Sequence, residues 1–225
     1  CAISVYISPD INIRLVVLSA IIVFIPGLAL ALGLAELAAR HLVSGTARVM
    51  DSFMLLFKLY FGAFIGIGIG FAIFGQTDFV QPEPLPRWTA WLAIFLLCSS
   101  LIVIFRTKLK HAGWSIASGF IAYGTSIGSA MYLDYTLGTF VGALSVGVFS
   151  NLFNRVANAP ASIVAMQGLI VLVPGSKTYI GLNSLIEGQD FVYAEHIGQQ
   201  TFLIFMSLVA GLIFANVALP PKKSL

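Results

Sequence analysis

Two stretches of this chain share one plan. Ile22-Val23-Phe24-Ile25-Pro26-Gly27 is followed by Gly33-Leu34 and Leu37, and Ile170-Val171-Leu172-Val173-Pro174-Gly175 by Gly181-Leu182 and Leu185. Each sets Pro-Gly inside an otherwise apolar helix and is followed by a second long apolar segment. Proline removes a backbone donor and glycine loosens the chain, so each helix is expected to open at this point. Paired interrupted helices in corresponding halves of a hydrophobic chain point to a transporter site.

The surroundings of these stretches fix the solvent. Of 225 residues, 59% are hydrophobic and 9% charged, against about 25% charged in soluble domains. So few charges cannot cover a surface in water, which leaves a lipid-embedded helical bundle or barrel. The apolar runs are about twenty residues long, as helices that span a bilayer require, and they lack the alternation of barrel strands. The fold expected is all-α: a polytopic membrane protein of about seven transmembrane helices. The spans are Leu15 to Ala38, Phe53 to Phe74, Trp88 to Phe105, Trp114 to Leu133, Tyr135 to Phe153, Ile163 to Leu185 and Gln200 to Leu219.

The loops agree with this count. Gln81-Pro82-Glu83-Pro84-Leu85-Pro86 cannot be helical and reads as a linker. The loop from Arg106 to His111 is the most basic and is expected to be cytoplasmic. Seven alternating spans then put eight of the twelve Lys and Arg residues inside: Arg40, Arg48, Arg106, Lys108, Lys110, Arg155, Lys222 and Lys223. Arg14, Arg87 and Lys177 fall outside, and Lys58 lies within a span, where its long side chain can snorkel.

The two Pro-Gly copies stand five helices apart, so they are expected to run in opposite directions. Spans one and two match spans six and seven, which leaves three to five without counterparts. The complete plan is then ten helices in two inverted halves of five. Residues 1–80 would carry the last two helices of the first half, 81–87 the linker, and 88–225 the second half. A chain that opens on Cys1 without Met reads as part of a longer one.

Several residues could carry the chemistry. Pro26, Gly27, Pro174 and Gly175 would expose helix ends around a central site, or simply kink two helices. Glu36 and Arg40 are spaced to pair on one helix face. Glu36, near the membrane boundary, could carry a proton or snorkel to the interface; Ser44 and Arg48 follow it. Asn151, Asn154, Arg155 and Asn158 fall on one helix face. They could meet a carboxylate through the Arg fork, or bond neighbouring helices and anchor topology. Thr178 and Tyr179 could line an outer vestibule. The pairs Gly62–Gly66 and Gly66–Gly70 fit close helix contact. His41, His111 and His196 receive no role. No nucleophile–base pair, metal cluster or phosphate loop stands out, so neither an enzyme nor a cofactor is expected.

Pro26-Gly27, Glu36-Leu37 and the run Leu42-Val43-Ser44-Gly45-Thr46-Ala47-Arg48 together resemble the end of the first membrane half of the threonine/serine exporter family. The stretch from Asn154-Arg155 through Leu172-Val173-Pro174-Gly175 to Tyr179 resembles its second half, beginning near Trp88. The resemblance implies ten helices, fused or encoded as two subunits, and proton-driven antiport of threonine and serine across the bacterial inner membrane. Some members move small dicarboxylates such as succinate instead. The chain departs from the full pattern in lacking the first three helices and a soluble amino-terminal segment. The partners implied are a small-molecule substrate, protons, membrane lipid and the missing helices or a separate subunit, with no nucleic acid. A membrane scaffold that transports nothing is the competing reading.

Overall fold

The computed structural model describes residues 16, 19–21, 24–38, 41–74, 86, 88–173 and 191–222. Among these, seven helices form and no strand. They are α1 (Gly27–Ala38), α2 (Leu42–Phe74), α3 (Thr89–Ile104), α4 (Leu109–Ala130), α5 (Tyr135–Ala157), α6 (Ser162–Leu172) and α7 (Phe191–Ala218).

Their ends follow from local chemistry. Asp134 caps α5 by accepting a hydrogen bond from the Thr136 amide at 3.3 Å, the usual service of Asp at a helix start. Asn158 ends α5 in the left-handed region, φ 49° and ψ 36°, which Asn tolerates better than most residues. Val173 closes α6 in an extended conformation, φ −66° and ψ 128°, because Pro174 disfavours helix in the residue before it.

Small residues set the packing, and their neighbours give the helix directions. Gly138, early in α5, faces Ser126 and Ala130 late in α4, and Gly142 faces Ala122, so α4 and α5 are antiparallel. Gly168 of α6 meets Val146, while Leu172 reaches back to Gly142, so α6 also opposes α5. Gly211 of α7 lies against Phe140 and Ala143, and Ala215 against Gly147, so α7 runs with α5. Cys98 of α3 touches Gly119, and Trp91 stacks near Phe120 and Tyr123, so α3 opposes α4. Helices α3 to α7 therefore alternate in direction. At the other end of the chain, α1 folds back on α2, with Gly33 against Val49 and Leu37 against Gly45. A Cβ on Gly45 would come within 2.9 Å of the Leu37 backbone nitrogen, so the close return of α2 over α1 depends on glycine there. Helix α1 packs on both α6 and α7.

Three helical segments among the described residues have the length and apolarity to cross a membrane: Leu42–Gly70, Tyr135–Ala157 and Gln199–Ala218. They match the second, fifth and seventh expected spans. Half of the α5 segment is buried inside the protein, against 12% of the α2 segment, which makes α5 the central helix and α2 a peripheral one. Helix α4 has 22 residues, but its buried face is polar and small, with Ser115, Ser118, Gly119 and Ser126. Helices α1 and α6, with 12 and 11 residues, are about 18 and 16 Å long at 1.5 Å per residue, roughly half of a hydrocarbon core.

Two expectations need correction. Helix α2 begins at Leu42, well before Phe53. Nothing between them breaks a helix, and Thr46 and Ser52 return their hydroxyls to the carbonyls of Leu42 and Arg48 at 2.6 and 2.8 Å. The close contact expected at Gly62 and Gly66 is not made among the described residues, where a Cβ on either glycine would meet nothing within 4 Å. Both lie on the outer face of α2 beside exposed Phe61, Phe64 and Ile65.

Candidate functional site

The first Pro-Gly does interrupt a helix. Residues 19–21 are helical, Ile25 and Pro26 are not, and α1 starts at Gly27. The Gly27 amide turns back to the Ile25 carbonyl at 2.8 Å, and the Leu30 amide makes the first helical bond to Pro26 at 2.9 Å. Ile25, Pro26 and Gly27 are all buried. A helix start leaves its first amides without intrahelical acceptors and carries partial positive charge. The second copy is seen from its other side: α6 stops just before it, with the Val173 amide bonded to the Leu169 carbonyl at 2.9 Å. A helix stop leaves free carbonyls and partial negative charge. Pro174, Gly175, Thr178 and Tyr179 lie outside the described residues. Ile25, Leu30 and Ala31 share one buried apolar cluster with Leu169 and Leu172, and Val173 packs against it.

Glu36 reaches across the α1–α2 turn to Arg48, Oε1 to Nη2, at 3.0 Å. Arg40, its expected partner, lies outside the described residues. The other oxygen, Oε2, is shielded from solvent and bonds no described residue. The pair is partly open, with side-chain exposures of 45% for Arg48 and 26% for Glu36, so it is worth about 0–1 kcal/mol. Ser44 is exposed and directs its hydroxyl to the His41 carbonyl at 3.4 Å, where it serves the turn.

The asparagine stripe ties down the end of α7. Asn151 donates to Asn216 Oδ1 at 2.9 Å and to the Leu219 carbonyl at 2.8 Å. Asn154 donates to the Ala159 carbonyl and accepts from the Lys222 amide, both at 2.9 Å. Arg155 places Nε and Nη2 on the Pro220 carbonyl at 3.1 and 2.7 Å. Its cation thus sits where the dipole of α7 is negative. Of the two alternatives read from the sequence, the interhelical anchor is the one these bonds support. Asn158 is outside the helix and off the stripe.

Polar groups that the sequence reading passed over lie deeper. Gln167 of α6 is fully buried at 0% exposure, and so are Ser115 and Ser118 of α4. Neither polar atom of Gln167 and neither hydroxyl oxygen has a hydrogen-bond partner among the described residues. A Cβ on Gly168, next to Gln167, would stand 2.6 Å from Ser118 Oγ, so the α4–α6 seam closes directly on Ser118. The available signal was one amide inside the run Ile163–Leu172, since a polar residue within a span is a functional hypothesis by default. His111 was also passed over. It is buried edge-on against Phe153 with ring centroids 5.1 Å apart. Burial, and then Lys110 and Lys108, hold its imidazole below the ordinary value of 6.5.

The described residues are all helical apart from their connections, with bilayer-length apolar helices and a buried helix interruption, the form of an integral membrane protein. Residues 89–218 match the family described as "Threonine/Serine exporter, ThrE", and residues 1–70 match a second threonine/serine exporter model. The chain belongs to the threonine/serine exporter family. Among curated proteins it is 22% identical to an uncharacterized protein of Schizosaccharomyces pombe over 89% of this chain and 27% of that one. It is 26% identical to "Pheromone-regulated membrane protein 10" of Eremothecium gossypii over 67% of this chain and 21% of that one. For the Candida albicans (strain WO-1) protein of the same name the identity is 26%, over 74% and 15%. The chain thus spans about a quarter or less of the length of these relatives. No solved structure matches.

Proposed function

We propose that this chain is part of a secondary active exporter of small polar amino acids, threonine and serine, driven by the proton motive force across a cytoplasmic membrane. The carrying observation is that the start of α1 and the end of α6 border one buried cluster. The positive end of one helix and the negative end of the other suit the carboxylate and ammonium of an amino acid. The Pro-Gly elements would then act as an inverted pair, with the solute near mid-depth and the two halves rocking around it.

The dicarboxylate alternative has less support. A second carboxylate calls for an available cation, whereas Arg48 is engaged by Glu36 and Arg155 by the Pro220 carbonyl. The test is efflux of labelled threonine, serine and succinate from cells that express the protein, with and without a protonophore. The expected outcome is faster loss of threonine and serine that collapses with the proton gradient. Loss of succinate alone would select the carboxylate exporter, and no change in any of the three would select the scaffold.

A further inference from the structure

The buried amide at the α4–α6 seam has no evident structural use. Gln167 lies five residues before the end of α6, and so about 7 to 8 Å from it at 1.5 Å per residue. Ser115 and Ser118, one turn apart on α4, are both fully buried, and Ser118 Oγ lies against Gly168 of α6. Val146, near the middle of α5, is fully buried and closes the third side against Gly168. Buried polar groups in proteins are nearly always hydrogen-bonded, yet the two amide atoms and the two hydroxyls here find no partner among the described residues. The buried described residues include no Lys, Arg, Asp or Glu. Apart from His111, a turn before Ser115, the buried polar groups of α4 carry no ionisable side chain, and the amide and hydroxyls can both donate and accept hydrogen bonds.

We propose that Gln167, with Ser115 and Ser118, forms the subsite that hydrogen-bonds the side-chain hydroxyl of the transported amino acid. This rests on the reading of the chain as an amino-acid exporter. That reading assigns the ammonium and carboxylate to the opened helix ends; the seam adds recognition of the remaining polar group. An amide that both gives and takes a hydrogen bond matches a hydroxyl, and a neutral seam disfavours a second carboxylate. A site whose polar groups are left unpaired discriminates strongly against an analogue without the hydroxyl. Alanine is that analogue.

The test is solute-induced thermal stabilisation of the purified full-length protein in lipid nanodiscs, titrated with L-threonine, L-serine and L-alanine. The parent is expected to bind threonine and serine more tightly than alanine. In Gln167→Leu that preference should shrink about ten- to a hundredfold with alanine binding unchanged. The variant should also melt at or above the parent's temperature without solute, because an unpaired amide is replaced by an apolar side chain of similar size. The Ser115→Ala/Ser118→Ala double variant, which removes two oxygens and little volume, should lose the same preference. A parent that binds neither threonine nor serine would overturn the exporter reading and this proposal with it. A parent that binds all three equally, or variants that keep the preference or weaken for all three together, would overturn only the hydroxyl subsite.

Discussion

Asn151 donates to two acceptors at the end of α7, the Asn216 side chain and, just past the helix, the Leu219 carbonyl, from a position almost closed to solvent. Its removal would leave both acceptors short of a donor. Asn216 is exposed and Leu219 partly buried, so what is lost is two hydrogen bonds worth about 0.5–1.5 kcal/mol each, and Asn151→Ala should lower the melting temperature by a few degrees while an exposed change such as Val156→Ala does not. Differential scanning fluorimetry of the two variants decides this. His111 gives a second prediction, with its sign fixed by where its proton is held. The unfolded chain protonates His111 near its ordinary 6.5, whereas the folded chain, through burial and the neighbouring lysines, resists until lower pH. Between those points the unfolded state binds more protons, so the contribution of His111 is complete above 6.5 and is lost as pH falls below it. The melting temperature should therefore drop between pH 7.5 and 5, and His111→Gln should flatten that drop. A variant as pH-sensitive as its parent would show the titration lies elsewhere. Asp134 acts in the same direction further down. Its hydrogen bonds to Thr136 hold its carboxyl below 3.8, so its cap weakens only in stronger acid.

At the scale of an element, the Pro-Gly of α1 and the truncated α6 can be tested by restoring continuity. Pro26→Ala returns a donor at the break, and Pro174→Ala frees Val173 to continue as helix. If these openings serve transport, efflux should fall at least tenfold in either variant while the amount of protein in the membrane stays close to the parent's. Equal efflux at equal abundance would reduce both breaks to packing kinks. The break at Pro26 was legible in the sequence because proline and glycine act locally. The start of α2 was not, because the apolar run that marks a span begins only at Phe53, while Leu42 to Ser52 is more polar yet contains nothing that stops a helix. The stripe of Asn151, Asn154 and Arg155 was legible as a face, but the spacing did not say which partner the face meets. That partner, the chain from Asn216 to Lys222, is more than sixty residues away. Gln167 was passed over because one amide in a long apolar run leaves average hydrophobicity high; only packing shows that its polar atoms are sealed in.

At the scale of the whole molecule, the contacts among α3, α4, α5, α6 and α7 require an alternating bundle. The turn between α4 and α5 must then lie at the opposite end from both the α3–α4 and the α5–α6 connections. In a bilayer those two ends face different compartments, with the basic end inside. Lys108 and Pro160 are exposed on the first set of ends, and Tyr132 is exposed on the second. Single cysteines at these positions, read with a membrane-impermeant maleimide on intact cells, should label at position 132 and resist at 108 and 160 until the membrane is permeabilised. Labelling of all three from one side would be incompatible with α4 and α5 crossing the bilayer. It would also undo the positive-inside assignment on which the direction of export rests. The reverse pattern would keep the bundle and turn it over, placing Arg106, Lys108 and Lys110 outside, where the charge rule disfavours them. Because α1 packs on α6 and α7, a bundle fixed in either sense carries the break at Pro26 with it.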